Sequence, residues 1–241
     1  MGSKSLIKII GIIPARAGSK SIKNKNLVSI KNNTIIENCY KESLKSKVFA
    51  KIICTTDSNK IISLCKKKKI PYIKRPPNLS TDNSNVIYSV LHVLKNERKF
   101  FDMEYDFVCL IQPTSLFLRS KDIRNCVNLI KNNSKFNSVQ TVHKTPHNYH
   151  YLNTRIIKND QIVFKFRNKR LKNYNKQLKE PTYNFGNFII VKTNIVSKKK
   201  LFFCEPCGYV LINKISSFDL DEKLDIEIAN KLHSLNSRQF Q

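Results

Sequence analysis

The chain has 241 residues, of which 41% are hydrophobic and 10% aromatic, enough apolar material for a folded core in one or two domains. No apolar run reaches the roughly 18 residues that a membrane-spanning helix needs, so a membrane role is not expected. The 44 lysines and arginines against 17 aspartates and glutamates give a formal net charge of +27, which is typical of nucleic-acid binders and of proteins with polyanionic ligands, or in part reflects a composition rich in lysine, isoleucine and asparagine. We expect one domain spanning residues 1–241.

The N-terminus and the cysteines both favour a cytoplasmic protein. The apolar part of MGSKSLIKIIGIIP is short and ends at Pro14, and Leu6 stands where a myristoylation signal requires Ser or Thr. The seven cysteines lie mostly in apolar segments, which is typical of reduced thiols in a core. Cys204 and Cys207 form the one close pair, and no second pair or nearby histidine completes a tetrahedral metal site.

Strand-like and helix-like patterns alternate through the first half of the chain. The predicted elements are a strand over Ile7–Ile13, a helix from Ile35 to Leu44, a strand over Ala50–Thr56, a helix over Asn59–Lys68, a strand over Pro71–Lys74, a helix from Val86 to Leu94, a strand over Phe107–Ile111 and a helix from Ile123 to Ile130. This alternation predicts βαβ units, and therefore an α/β fold with a mostly parallel sheet flanked by helices.

The alternating pattern weakens after Val142. Residues 143–181 are polar and basic, with a candidate short strand over Gln161–Phe166, and the apolar pattern resumes at Gly186–Val191. An excursion from the sheet explains this interruption, and we place it at residues 143–185.

A basic loop follows the first predicted strand. The stretch IIPARAGSKSIKNKNL carries Arg16, Lys20 and Lys25, and Gly18 lets the backbone approach a ligand. The loop lacks the Walker spacing G-x-x-x-x-G-K-[ST]. Because ligands of open α/β sheets bind at the carboxyl ends of the strands, the loop is a candidate triphosphate site, although a basic loop of this kind also occurs as a solvated turn.

Two further motifs suggest chemistry. Asp219 and Asp221 are two residues apart, so on an extended segment both carboxylates project to one face and can reach one Mg²⁺ ion; alternatively, Asp221 caps the helix predicted to begin near Glu222. The second motif, Gln112-Pro113-Thr114-Ser115, places an amide and hydroxyls directly after a predicted strand.

Taken together, these motifs resemble one family. IIPARAGSK, TTD at Thr55–Asp57, Arg75-Pro76, QPTS and DLDEKLD occur in the order and near the spacing of the acylneuraminate cytidylyltransferases, the CMP-sialic acid synthetase family, from about Ile9 to Ala229. The resemblance implies a Rossmann-like α/β domain that dimerises through the excursion. It also implies transfer of CMP from CTP to a nine-carbon α-keto acid sugar, such as N-acetylneuraminic acid, with release of pyrophosphate.

The resemblance also assigns residues to roles. Arg16, Lys20 and Asp221 match catalytic positions, and Asp219 and Asp221 match positions that hold Mg²⁺. The positions matching nucleotide contacts are Ala15, Arg16, Lys25, Asn26, Arg75 and Ser84. The positions matching sugar contacts are Gln112, Phe202 and Phe203. No residue stands out as a general base, so we expect metal-assisted deprotonation of the attacking hydroxyl.

Several residues depart from the family pattern: some lie in the basic loop, after the QPTS motif and near the base, and the last two changes lie where the sugar should sit. Near Gly186 the usual Asn-Gly is Phe185-Gly186, and arginines common a dozen residues earlier are replaced by Tyr174 and Asn175. These changes leave the acceptor open between N-acetylneuraminic acid and pseudaminic, legionaminic or other nonulosonic acids. A basic nucleic-acid-binding protein, supported only by the net charge, is a remote alternative.

Overall fold

The computed structural model describes residues 6–19 and 21–239, with side chains through residue 234. The strands are β1 (Ile9–Pro14), β2 (Ser29–Ile30), β3 (Asn33–Thr34), β4 (Lys51–Thr56), β5 (Tyr72–Lys74), β6 (Phe107–Ile111), β7 (Ser138–Lys144), β8 (Arg155–Lys158), β9 (Gln161–Phe164), β10 (Tyr183–Lys192) and β11 (Cys207–Leu211). The α-helices are α1 (Ile35–Ser46), α2 (Asn59–Lys68), α3 (Val86–Phe101), α4 (Ser120–Asn132), α5 (Arg167–Lys172), α6 (Thr193–Lys199) and α7 (Lys223–Gln239).

Seven strands form one sheet, in the order β11-β7-β10-β6-β1-β4-β5. β1 pairs in parallel with both β4 and β6, β4 with β5, and β7 with β11. β10 is antiparallel to its neighbours β6 and β7. The predicted α/β fold with a mostly parallel sheet is therefore confirmed.

Most element bounds agree with the sequence prediction to within about three residues, but α3 continues to Phe101, well past the predicted end at Leu94. Asn59–Lys68 and Phe107–Ile111 are helix and strand as predicted. β1 begins two residues later than the predicted Ile7, because the parallel pairing with β6 starts at Ile9 opposite Phe107. The strand predicted over Gln161–Phe166 ends at Phe164, which is paired with Arg155 at the open end of a hairpin.

Both faces of the sheet are covered, because β1 sends alternate side chains to opposite faces. Ile9 and Ile13 join the core cluster that includes side chains of α1, α2 and α4. Ile10 and Ile12 join the cluster that includes side chains of α3 and α6. Six of the seven cysteines are buried and all seven thiols are free, as predicted for small core residues.

The segment between β7 and β10 stands outside the main sheet. It contains the β8–β9 hairpin and α5, and every residue of β8 is exposed. Since β7 ends at Lys144 and β10 begins at Tyr183, the inserted chain is residues 145–182, slightly shorter than the predicted 143–185. Within the described part of the chain, no helix combines the length and apolar character needed to cross a membrane.

Candidate active site

A cavity of about 540 Å³ opens at the carboxyl ends of three parallel strands. Its walls come from the loop after β1, from the segment after β5 and from residues 110–114 at the end of β6. The volume is in the usual range for small-molecule sites, and the position is the one that open α/β sheets use for ligands. A larger cavity, of about 830 Å³, lies between α1 and the segments around Phe117 and Ser216, away from the predicted site residues.

The loop after β1 is held by contacts from neighbouring segments. The backbone N–H of Ala17 donates to Oδ1 of Asp57 at 2.8 Å, and the side-chain amide of Asn26 donates to the carbonyl of Arg16 at 2.9 Å. Ala15 is fully buried, and its N–H donates to the carbonyl of Thr55 at 3.0 Å. Ala15 is therefore buried at the base of the loop and does not line the cavity, whereas Asn26 does.

The two arginines of the cavity differ in how firmly they are fixed. Arg75 is 5% exposed, and its Nη2 donates to the carbonyl of Thr55 at 2.8 Å. Burial lowers the pKa of Arg75, with Asp57 acting in the opposite direction, but an arginine stays charged at neutral pH. Arg16 is more exposed, and its Nη1 lies 2.7 Å from Oδ1 of Asp82. Lys20, predicted to contact phosphates, lies outside the described residues.

The two aspartates of the late motif lie beside the loop after β6. Leu220 donates its N–H to the carbonyl of Thr114 at 3.0 Å, and Asp219 forms an isolated β-bridge with Ser115. Lys25, which lines the cavity, donates from Nζ to Oδ1 of Asp221 at 3.1 Å. The structure thus brings the motif, from almost the other end of the sequence, into contact with Thr114 and Lys25, which line the cavity.

The sequence left open whether Asp221 caps the last helix. Asp225 supplies the carboxylate that accepts backbone N–H groups next to the start of α7. Oδ2 of Asp225 accepts the N–H groups of Asp221 and Glu222 at 2.8 and 2.7 Å, which satisfies backbone donors at the start of α7. The carboxylate of Asp221 instead accepts the hydrogen bond from Lys25.

Asp219 and Asp221 have the chemistry of a partial Mg²⁺ site. Desolvation raises the pKa of Asp219, the nearby Asp221 carboxylate raises it further, and a hydrogen bond from the Thr114 side chain opposes the rise. Asp219 is exposed as a whole residue, but its carboxyl group is partly desolvated and contacts the Thr114 side chain. Among residues 6–19 and 21–239 no group of three or more His, Cys, Asp or Glu side chains gathers as a complete ligand set. Two carboxylates suit Mg²⁺, which takes its other ligands from water and substrate phosphates.

The remaining predicted residues divide into two groups. Gln112 lines the cavity, and so does Ser84, whose hydroxyl donates to the carbonyl of Asn78 at 3.0 Å. Phe202 and Phe203 are not brought to the cavity. Phe202 packs against the core cluster beneath α3 and α6, and Phe203 is 52% exposed.

Three residues of the site had no individual role in the sequence prediction. Asp57 and Thr114 were named there only as members of the TTD and QPTS motifs, at the ends of β4 and β6. Asp82 lies in a polar loop without any such signal. Only the fold shows that Asp82 reaches Arg16.

The family model described as "Cytidylyltransferase" matches residues 10–205, which include most of the cavity. The chain belongs to the cytidylyltransferase family. Members of the family are nucleotidyltransferases. Asp219 and Asp221 lie beyond the matched range, so their assignment depends on their contacts with Thr114 and Lys25 and on the motif.

Relatives of this cytidylyltransferase differ in the sugar that their names specify. It is 29% identical to N-acylneuraminate cytidylyltransferase of Escherichia coli O18:K1:H7 over 96% of the chain, but spans only 54% of that protein. It is 29% identical to CMP-N,N'-diacetyllegionaminic acid synthase of Legionella pneumophila, covering 95% of the chain and 98% of the relative. It is 26% identical to pseudaminic acid cytidylyltransferase of Campylobacter jejuni subsp. jejuni serotype O:2, with the same coverage.

Solved structures agree on the fold. CMP:2-keto-3-deoxy-manno-octonic acid synthetase complexed with CTP superposes on this cytidylyltransferase with a TM-score of 0.71 at 13% identity, covering 95% of the chain and 99% of that structure. A 4-diphosphocytidyl-2C-methyl-D-erythritol synthase superposes with a TM-score of 0.66 at 12% identity, with the same coverage. At these identities the likeness shows a shared α/β nucleotidyltransferase fold.

Proposed function

We propose that the protein transfers CMP from CTP to a nonulosonic acid, a nine-carbon α-keto acid sugar, with release of pyrophosphate. The observation that carries the proposal is a cavity at the strand ends that Arg16, Lys25 and Arg75 line, with Asp219 and Asp221 in contact with two of its lining residues, Thr114 and Lys25. Three cations suit a triphosphate, and two carboxylates suit its metal ion. Family membership supplies the cytidine nucleotide.

The relatives support the acceptor class without choosing among its members. Their names specify N-acylneuraminic, N,N'-diacetyllegionaminic and pseudaminic acids at similar identities of 26–29%. The departures at Tyr174, Asn175 and Phe185 lie where the family pattern implies sugar contacts. A legionaminic or pseudaminic acid is therefore the second candidate beside N-acetylneuraminic acid.

The mechanism follows from positioning and charge. The anomeric hydroxyl of the sugar attacks the α-phosphorus of CTP, forming a new P–O bond while the bond to the pyrophosphate oxygen breaks in line. Arg16 and Lys25 offset negative charge on the phosphates. The guanidinium of Arg75, held in place by its hydrogen bond to the Thr55 carbonyl, orients the nucleotide. Gln112, at the end of β6, faces the same cavity and can donate a hydrogen bond to the sugar.

Asp219 and Asp221 would hold the magnesium ion. When bound, Mg²⁺ would withdraw charge from the phosphate oxygens and lower the pKa of the attacking hydroxyl. Lys25 then serves a second purpose, because its contact with Asp221 ties the carboxylate to the phosphate loop. Lys20, from the same loop, completes the proposed set of cations by the family pattern.

We also propose a homodimer formed through the inserted segment, residues 145–182. Its hairpin exposes Ile157 and Ile162, which are 79% and 71% exposed and are paired across β8 and β9. Apolar side chains facing water in this arrangement are typical of a surface that is covered by a partner.

The proposal is tested by measuring pyrophosphate release with CTP and Mg²⁺. The acceptors are N-acetylneuraminic, legionaminic and pseudaminic acids, together with the eight-carbon 2-keto-3-deoxy-manno-octonic acid. We expect release with one nonulosonic acid and a matching CMP-sugar by mass spectrometry. Folded protein that releases nothing with every sugar would contradict the proposal. Nucleic-acid affinity that falls steeply with salt would then favour the alternative suggested by the charge of +27.

A further inference from the structure

An anionic side chain lies inside the cavity that we assign to a polyanion. Oδ1 of Asp82 is 2.7 Å from Nη1 of Arg16, and both residues line the cavity together with Lys25 and Arg75. A phosphate group that binds Arg16 must therefore compete with a carboxylate that belongs to the protein.

The exposure of the pair makes this competition feasible. The side chains of Arg16 and Asp82 are 34% and 46% exposed, so water can solvate either group when the pair opens. Exposed ion pairs of this kind contribute little to stability, whereas a guanidinium binds phosphate oxygens through charge-assisted, often bidentate, hydrogen bonds. Arg75 is unlike Arg16, because it is buried and bonded to the Thr55 carbonyl.

Asp82 lies in a turn that hydrogen bonds of the Ser84 hydroxyl close. The hydroxyl of Ser84 donates to the carbonyl of Asn78 at 3.0 Å and accepts the N–H of Thr81 at 3.2 Å. These contacts bracket Asp82 on both sides. The backbone position of Asp82 is thus set by the turn, and its carboxylate reaches Arg16 from there.

We propose that Asp82 sets the affinity of the site for polyphosphates. It holds Arg16 over the cavity in the absence of ligand and yields it when phosphate oxygens of a nucleoside triphosphate arrive. The same carboxylate then weakens the hold on the product pyrophosphate, which favours release. This inference rests on the proposed function, since it takes the cavity to be the phosphate site.

The test is calorimetric binding of inorganic tripolyphosphate and of CTP, without Mg²⁺, to wild type and to Asp82→Asn. The asparagine keeps an oxygen acceptor for Arg16 and removes the charge, so we expect binding about three- to ten-fold tighter than wild type. In an Arg16→Ala background the same substitution should give a much smaller gain, because the contact between Asp82 and Arg16 is already lost. A structural defect would weaken binding in both backgrounds.

Glu104→Gln is the matched control. It neutralises the carboxylate of another exposed ion pair, with Arg98 at 3.3 Å, among residues that do not line this cavity. It should leave both affinities unchanged. Unchanged or weaker tripolyphosphate binding in Asp82→Asn, an equal gain in the Arg16→Ala background, or no tripolyphosphate binding by any variant would overturn the inference. A protein that binds tripolyphosphate as expected but forms no CMP-sugar would overturn the proposed function alone.

Discussion

Nζ of Lys25 lies 3.1 Å from Oδ1 of Asp221, a residue 196 positions later in the chain. The contact joins the loop after the first strand to the segment that precedes the last helix. It places a cation proposed for the phosphates next to a carboxylate proposed for the metal ion. The ammonium group is in contact with the carboxylate that would share Mg²⁺ with Asp219.

The first prediction concerns Asp221. Asp221→Ala should lower the rate of CMP transfer at least about 100-fold, because charge stabilisation by a bound metal contributes several kcal/mol. Its side chain is 75% exposed, so the free energy of unfolding should change by less than about 0.5 kcal/mol. Steady-state kinetics and urea unfolding measure the two quantities. Glu222→Gln, which neutralises the next carboxylate in the chain, should retain activity, and equal losses in both variants would refute the assignment.

The second prediction concerns the protonation of Asp219. Desolvation and the neighbouring Asp221 raise the pKa of Asp219, so its midpoint in a carboxyl ¹³C NMR titration of metal-free protein should lie above the peptide value of about 3.9. Asp221→Asn should lower that midpoint. Because the pKa is higher in the folded than in the unfolded state, ionisation of Asp219 reduces stability above the folded pKa. This loss disappears as pH falls below the unfolded value.

The same shift predicts a stability effect of substitution. Asp219→Asn should slightly raise the thermal midpoint near neutral pH and leave it unchanged in acid, where the wild-type carboxyl is protonated in both states. Thermal unfolding at several pH values measures this difference. A difference in thermal midpoint that is independent of pH would show that folding does not shift the pKa of Asp219.

The third prediction concerns Gly186, where the register between β10 and β7 shifts. A Cβ atom added at Gly186 would lie 2.6 Å from Oγ1 of Thr141 and 3.0 Å from its backbone carbonyl carbon, so the strands would have to separate. Gly186→Ala should cost about 1–3 kcal/mol of unfolding free energy, as overpacking does elsewhere. Gly18→Ala, whose added Cβ meets nothing within 4 Å, is the control and should be nearly neutral for stability. Equal effects in urea unfolding would contradict this packing argument.

Thr141 gives a related prediction at the same register shift. Its buried hydroxyl accepts the N–H groups of Asn187 and Phe188 at 2.8 and 3.0 Å, where the pairing with β7 is irregular. Thr141→Val keeps the shape of the side chain but leaves both donors without this partner. Loss of a buried hydrogen-bond partner costs about 1–3 kcal/mol, so the urea midpoint should fall. An unchanged midpoint would mean that these donors find other acceptors.

The fourth prediction tests the proposed dimer. Ile157→Asp combined with Ile162→Asp places two charges on the exposed hairpin and should shift the protein to monomer in analytical ultracentrifugation. Phe100→Asp changes another exposed side chain, at the end of α3, and should leave the assembly unchanged. A wild type that is monomeric at all concentrations would contradict the proposed dimer directly.

Much of the fold was readable from the sequence because local patterns decided it. Asn59–Lys68 has helical apolar spacing with Ser58 as its N-cap, and Phe107–Ile111 is an apolar run with the length of a buried strand. The antiparallel direction of β10 has no local signature, because pairing depends on where the inserted chain returns to the sheet. A motif match likewise could not indicate which way the side chains of Phe202 and Phe203 face, because that also depends on packing between distant segments.

The sequence alone determined the alternation of strands and helices, the basic loop after β1 and the paired aspartates, because spacing along the chain fixes the faces of strands and helices. Only the tertiary structure decided which of these groups meet. It brought Asp221 into contact with Lys25 and Asp82 into contact with Arg16, and it placed the Asp225 carboxylate on the N–H groups of Asp221 and Glu222. Such contacts depend on the distances between segments far apart in sequence, which the packing of the sheet and its helices sets.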